Sequence, residues 1–379
     1  MDRAQSSPTL KHDTTTNSTD TRARPVPRLV VDLSALQRNY RILGELAANA
    51  EVGAVVKANA YGLGAVEVLP ALAEAGCRTF YVAHTLEGEE ARRALAGHDA
   101  DIFVFNGFWP SELETLRTAR LFPVINTLNQ LDQLRSLAPD LPCGLHVDTG
   151  MNRLGLSPAE AEHLRADRTL LTGLDVRQVM SHLACADEPD HPLNRQQHDR
   201  FEAFCVAFPA IPASLSNSAG ALLGPEYHFD ILRPGLALYG GTPAAGQPNP
   251  FEPVVRVDAP ILQIRDLRPG DTVGYGATFT ADRPMRIGTV AAGYADGLLW
   301  TSANGGTGFL GDTEIPILGR VSMDLIAVDL TPVGDALEPG MSVSFLGRTL
   351  DDIAAAAGTI SYEFLVRLGM RFDRVYQRD

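Results

Sequence analysis

From Val30 to about Gly241 the chain alternates short apolar runs with stretches whose apolar residues recur at helical spacing. The runs "VGAVVKA", "TFYVAH", "DIFVFN", "LFPVIN", "CGLHVDT", "VRQVMSHLA", "ASLSNS" and "ILRPGLALYG" predict eight strands. Between them, "GAVEVLPALAEAG", "TLEGEEARRALAG", "LNQLDQLRSLA" and "PLNRQQHDRFEAFCVAF" predict helices. This alternation predicts a parallel (β/α)8 barrel of the TIM type over residues 28–241. A doubly wound open sheet fits the alternation too, but no G-x-G-x-x-G follows the first strand. After Gly241 the pattern changes. A Pro/Gly-rich linker, "GTPAAGQPNP", leads into short β-rich runs separated by turn residues, such as "RIGTVAAGYADG" and "TEIPILGRVSMDLIAVDL". These predict an all-β domain over 242–379 with a short helical end at "LDDIAAAAG". Residues 1–27 are polar and rich in Ser, Thr and Asp, with no apolar segment of the kind a secretory signal needs, and predict a disordered tail.

Composition narrows the classes. The net charge over 379 residues is 32 − 46 = −14, which argues against nonspecific binding to nucleic acid or an anionic membrane but leaves room for a local cationic pocket. No apolar run approaches the ~20 residues that cross a bilayer. Cys77, Cys143, Cys185 and Cys205 show no C-x-x-C spacing, as expected of reduced thiols in a cytoplasmic protein. His182, Cys185 and His191 form H-x2-C-x5-H, which is not a zinc spacing, so no metal is expected.

Chemistry in a barrel gathers where strands end. Those ends carry Lys57, His84, Asn106, Asn126, Asp148, His182, Asn217 with Ser218, and Arg233. Taken singly, a His or Asn here is more often a loop hydrogen-bonder than a catalyst. Lys57, in "AVVKANAYGLGA", either snorkels to solvent or is held for chemistry. In "SNSAG" and "RPGLALYG", Ser218 offers a hydroxyl while Gly220 and Gly235 let backbone N–H groups approach an anion. A lysine on strand 1 and a phosphate cradle at strands 7 and 8 imply a phosphorylated carbonyl cofactor bound as a Schiff base. Pyridoxal phosphate fits that description.

The motifs "AVVKANAYGLG", "HVDTGMNRLG", "SNSAG", "RPGLALYG", "VGYGATF", "GYADG", "GRVSMD" and "SYEFLVRLGMR" occur in an order that resembles the alanine racemase family of fold-type III pyridoxal-phosphate enzymes. The resemblance runs from Lys57 to the C-terminus. It implies interconversion of L- and D-alanine by two bases. Lys57 would carry the cofactor and serve one face. Tyr275, lying between Gly274 and Gly276, would serve the other. Tyr61, Asn217, Ser218, Gly235, Leu236 and Tyr362 would hold the phosphate, and Arg233 would face the pyridine nitrogen. Arg153 would contact the cofactor's phenolic oxygen and orient the substrate carboxylate, which the backbone of Met323 would also reach. His182, grouped with the cofactor-binding residues, would link Tyr275 to Arg233. The family pattern is a head-to-tail homodimer with shared sites, so Tyr275, Met323 and Asp324 would come from the partner chain. Tyr294 and Arg320 resemble residues at the substrate entrance.

Some positions depart from the family. His146 stands where many relatives carry a carbamylated lysine that pairs with the equivalent of Arg153. Leu63 replaces a histidine, Ser322 a frequent cysteine, and "LLWTSANGG" follows "GYADG" where "YPR" is common. These leave open a racemase for serine or one of broad specificity. A lone-barrel pyridoxal-phosphate carrier without racemase activity would have no use for a second domain bearing "VGYGATF". A decarboxylase on this two-domain plan would need a cysteine there, and none lies beyond Cys205.

Overall fold

The computed structural model describes residues 25–244, 246–302, 305–334 and 337–378. The expected tail therefore lies outside the described residues, save for 25–27. Strands Ala54–Val55, Thr79–Val82, Asp101–Val104, Phe122–Ile125, Cys143–His146, Val176–Met180 and Ala213–Ser214 pair in parallel, each with the next. Ile231–Leu232 pairs in parallel with Glu51–Val52. That strand continues through Gly53, whose N–H donates to Leu232 O at 2.9 Å. On its other side, Asp230 N donates to Ala213 O and Arg233 N to Ser216 O, both at 2.9 Å, so the wall curls into a ring. The apolar runs are strands because both of their faces are buried, one in the barrel and one beneath helices. The expected helices form at Ala65–Glu74, Thr85–Ala94, Leu128–Leu137 and Pro192–Cys205. Among the described residues no helix is long and apolar enough to cross a membrane.

The second unit is built on the long strand Val255–Leu267, which pairs antiparallel with Met285–Val290 and Ser342–Leu346. Arg28–Asp32 pairs with its first half, and Asp373–Gln377 lies parallel to Arg28–Asp32. The sequence pattern groups Arg28–Asp32 with the barrel, whereas its hydrogen-bonding partners belong to this sheet. An apolar run marks a strand to be buried, but nothing in it names the sheet that buries it. The chain thus passes through the C-terminal sheet before it enters the barrel.

One buried amide ties the barrel to the linker that follows it. Asn39, on helix Leu33–Ala47, is fully buried. Its Nδ2 donates to Leu238 O and Glu252 O, and its Oδ1 accepts from Glu252 N at 2.7 Å. It thereby fixes the end of the barrel to the linker that leaves it. Asn39→Ala removes three bonds, one of them fully buried, and should lower the unfolding free energy by roughly 2–4 kcal/mol. Denaturant titration of wild type and variant checks this, and an unchanged midpoint would refute it.

Candidate active site

Lys57 ends the strand Ala54–Val55, and the backbone then turns in an unusual way. Ala58, Asn59, Ala60 and Tyr61 have φ of 54°, 55°, 52° and 55°, and Gly62 follows at 83°. A left-handed turn of L-residues costs ~1–2 kcal/mol per residue, because Cβ crowds the following carbonyl. Its effect is to swing Tyr61 back over the barrel mouth. There the Tyr61 ring lies 4.8 Å from that of Tyr239 and 6.1 Å from that of Tyr362. The Tyr61 hydroxyl presses on Gly235 so closely that a Cβ there would sit 2.2 Å from it. Glu87 anchors the start of the turn, accepting from Ala58 N at 2.7 Å and Ala83 N at 2.8 Å. Sequence reasoning missed Glu87, although a carboxylate in the first turn of "TLEGEE" is a usual acceptor for strand-end N–H groups.

Ser218 is buried, and its Oγ accepts from Gly235 N at 2.9 Å and Ala237 N at 3.2 Å. Both lone pairs are used, so its proton is what remains to offer. Asn217 Oδ1 accepts from Gly220 N at 2.8 Å and shapes the same loop. Leu236 opens the 3-10 turn Leu236–Tyr239 beside it. Ser218, Gly235, Leu236, Tyr61 and Tyr362 therefore gather on one side of the mouth.

Arg233 is only 3% exposed. It donates to Ser214 Oγ, Ser181 O and Leu215 O, all neutral oxygens. Burial pushes it down to about 10. His182 lies in the field of Arg233, Arg153, His146 and Lys57; burial first, then these charges, hold it well below its usual range. Burial, then Arg153, also lowers Lys57, while Glu87 opposes. Arg153 stands exposed on a loop tied by Asp148, whose carboxylate accepts from Gly150, Met151 and Asn152 N–H groups.

His146 Nδ1 lies 2.8 Å from Asn126 Oδ1. Asn126 Nδ2 donates to Phe105 O and Val124 O, so its oxygen faces the imidazole as acceptor. His146 thus carries a proton on Nδ1, and burial with the charges of Arg233 and Arg153 disfavours a second one on Nε2. Of the other polar strand ends, His84 faces Glu87 at 3.7 Å, and Asn106 O accepts from Trp109 Nε1. His191, from the H-x2-C-x5-H segment, caps a helix by accepting from Leu193 N.

Among the described residues no hydrogen bond, ion pair or ring contact joins the remaining predicted residues to this group. Tyr275 is 71% exposed on the turn after Thr272–Val273, beside Arg320. Arg320 lies over the Trp300 ring at 5.5 Å. Met323 O accepts from Ala295 N, next to Tyr294, and Asp324 pairs with Arg371 at 2.7 Å. All of these lie in the C-terminal domain.

A mouth lined by Lys57, Arg153 and Arg233, with a hydroxyl proton to spare and two neutral imidazoles, suits a molecule bearing a phosphate and an aldehyde. The residues fit pyridoxal phosphate, and fold and site together define a cofactor-dependent barrel enzyme. Residues 31–243 match the alanine racemase N-terminal domain, and residues 254–376 the alanine racemase C-terminal domain. The chain belongs to the alanine racemase family, whose members are pyridoxal-phosphate-dependent isomerases. It is 47% identical over 355 residues to a catabolic alanine racemase of Agrobacterium fabrum, covering 92% of this chain and 91% of the relative. Identity to an alanine racemase of Rhizobium meliloti is 44% over 366 residues, covering 92% and 96%. The crystal structure of the Bartonella henselae enzyme with covalently bound pyridoxal phosphate superposes with a TM-score of 0.86 at 35% identity, covering 93% of this chain and 100% of that one. The match to the C-terminal domain sets aside a lone-barrel carrier.

His146 gives the site a pH signature. Burial, then Arg233 and Arg153, lower it from 6.5 to about 4, while Asp148 opposes. The unfolded chain therefore binds the proton first as pH falls. The stability linked to neutral His146 is complete above pH ~6.5 and is lost progressively toward pH ~4, to the extent of about 3 kcal/mol. His146→Gln should flatten the wild-type fall in denaturation midpoint over that window. Parallel curves for the two proteins would refute it.

Proposed function

We propose that the chain interconverts L- and D-alanine, with Lys57 acting on one face of the substrate α-carbon and the partner subunit's Tyr275 on the other. The observation that carries this reading is the turn after Lys57 that sets the Tyr61 hydroxyl against Gly235, whose N–H donates to Ser218 Oγ and leaves that hydroxyl's proton undirected. Tyr61, Ser218, Tyr362, Asn217 and the N–H groups at Gly235 and Leu236 would hold the cofactor's phosphate. Arg233 would stand against its pyridine nitrogen and Arg153 against its phenolic oxygen. When bound, the cofactor supplies the electron sink that accepts the pair left by the broken Cα–H bond.

The lowered proton affinity of Lys57 raises the fraction of neutral Nζ available to take the α-proton from D-alanine. On the opposite face, the partner subunit's Tyr275 Oη would return a proton to the α-carbon, or remove one from L-alanine. Arg153 and the backbone N–H of Met323 of the partner subunit would hold the carboxylate, fixing which face meets which base. That Tyr275, Met323, Asp324, Tyr294 and Arg320 all lie on the C-terminal domain supports a site that a second copy of the chain completes in a homodimer. Stacked on Trp300, Arg320 gives the entrance a wall of its own. The substrate is a small amino acid. The four cysteines are free, which supports a cytoplasmic location.

The test with most reach is racemisation by purified protein of alanine, serine, lysine and arginine in parallel. Alanine should be turned over fastest, and a faster rate on serine would transfer the assignment to that substrate. Tyr275→Phe keeps the ring and removes the ionisable oxygen. In D2O it should still exchange the α-proton of D-alanine, while exchange from L-alanine drops ~10²-fold or more, the scale of a lost general base. Equal losses from both enantiomers would defeat the two-base assignment.

Shared sites also predict complementation. Co-refolding inactive Lys57→Ala and Tyr275→Phe chains should restore about a quarter of full activity if the chains assort at random. Confirmed heterodimers without activity would mean that each site is built within one chain.

A further inference from the structure

The left-handed turn after Lys57 is closed by Ala60 N donating to Val56 O, Gly62 N to Ala58 O and Gly64 N to Asn59 O. A right-handed turn would make bonds of the same kind at less cost. These bonds therefore do not select the left-handed form, and the selection has to come from outside the turn.

Glu87 holds the start of the turn, and the contacts on its later residues come from the far end of the chain. Arg374 Nη1 donates to Gly62 O at 2.8 Å, and Tyr376 Oη donates to Leu63 O at 3.0 Å. Leu365 O packs against Gly62, where a Cβ would sit 2.4 Å from it. Tyr376 Oη packs against Gly64, where a Cβ would sit 2.1 Å away. Two glycines with φ of 83° and 105° are thus pressed by carbonyl and phenol from the C-terminal segment. The strand that carries Arg374 and Tyr376 is itself braced. It pairs along the whole of Arg28–Asp32, which pairs with Val255–Leu267.

We propose that Arg374 and Tyr376 are positioning residues of the active site: from the C-terminal strand they hold the turn 58–64 in its left-handed form, and so fix where Lys57 and Tyr61 stand in the barrel mouth. The link to catalysis rests on the reading of Lys57 and Tyr61 given under Proposed function. The hold on the turn does not. In this arrangement each chain's own second domain sets its lysine in place, a role separate from any residue that domain lends to a partner. Leu63, itself buried, contributes its carbonyl to the hold.

The experiment uses full-length holoenzyme carrying Tyr376→Phe, Arg374→Met or Arg374→Lys. Hydrogen exchange is followed by mass spectrometry on a peptide spanning 58–64, with peptides from Phe122–Ile125 and Val176–Met180 as internal controls. In Tyr376→Phe and Arg374→Met, exchange of the 58–64 amides should accelerate ~10-fold or more while the control peptides keep wild-type rates. For alanine, kcat should fall ~10- to 100-fold with KM within about threefold of wild type, the pattern of a displaced reacting group. Arg374→Lys should recover much of both losses, because an ammonium still donates to Gly62 O. If Arg374→Met does not fold, Tyr376→Phe, which deletes a single oxygen, decides the matter. Wild-type exchange across 58–64 in Tyr376→Phe overturns the proposal, as does acceleration spread equally over the control peptides. Borohydride reduction of the wild-type holoenzyme separates the two readings. Label on a lysine other than Lys57 would overturn the catalytic role given to the turn, and the exchange data would still decide what holds it.

Discussion

A guanidinium enclosed by barrel strands, with neutral oxygens as its partners, is the constraint on which the rest of the site depends. Burying such a charge costs several kcal/mol even after relaxation, and Arg233 meets that cost through Ser214, Ser181 and Leu215. Its field then adds to burial in holding two neighbouring imidazoles neutral. His182 is held neutral by burial with help from Arg233, and His146 by the same two causes, its tautomer set by Asn126. Lys57 loses proton affinity by burial and by Arg153. A mouth so arranged repels further cations and welcomes an anion, although the protein as a whole carries a net charge of −14.

One continuous apolar core runs through both domains, and hydrogen bonds pin them at particular points. Asn39 binds the linker to the barrel, and Arg28–Asp32 places the start of the chain in the second sheet beside its end. That adjacency brings Arg374 and Tyr376 to the Lys57 turn. The sheet domain thus has two surfaces with different work. One closes on its own barrel. The other exposes Tyr275, Met323 and Tyr294, large side chains at 71%, 53% and 43% exposure, which is the face the proposed partner subunit would cover.

Much of this was legible in the chain because the signals are local. Each of the eight apolar runs contains a barrel strand, and the polar residue ending several of them, Lys57, His182, Ser218 and Arg233 among others, falls at the mouth. The glycines of "RPGLALYG" and "AYGLG" mark places where another atom comes too close for a Cβ, and Gly235 against Tyr61 is the clearest case. Less legible were features set by distant partners. Nothing in "RLVVD" says that its partners are residues 255–258 and 373–377. Nothing in "KANAY" says that its backbone winds to the left, since Ala and Asn would be content in a right-handed turn.

The sequence by itself determined the alternation that makes a barrel, the change of period that makes a sheet domain, and the set of side chains available for chemistry, because each depends on residues within a few positions of one another. Tertiary structure alone decided the protonation of His146, the free proton of Ser218 and the handedness of the turn after Lys57. Each of these is fixed by groups tens to hundreds of residues apart: Asn126 for His146, Gly235 and Ala237 for Ser218, Arg374 and Tyr376 for the turn. Electrostatic fields and hydrogen-bond geometry act through space at short range, and only the folded chain says which residues share that space.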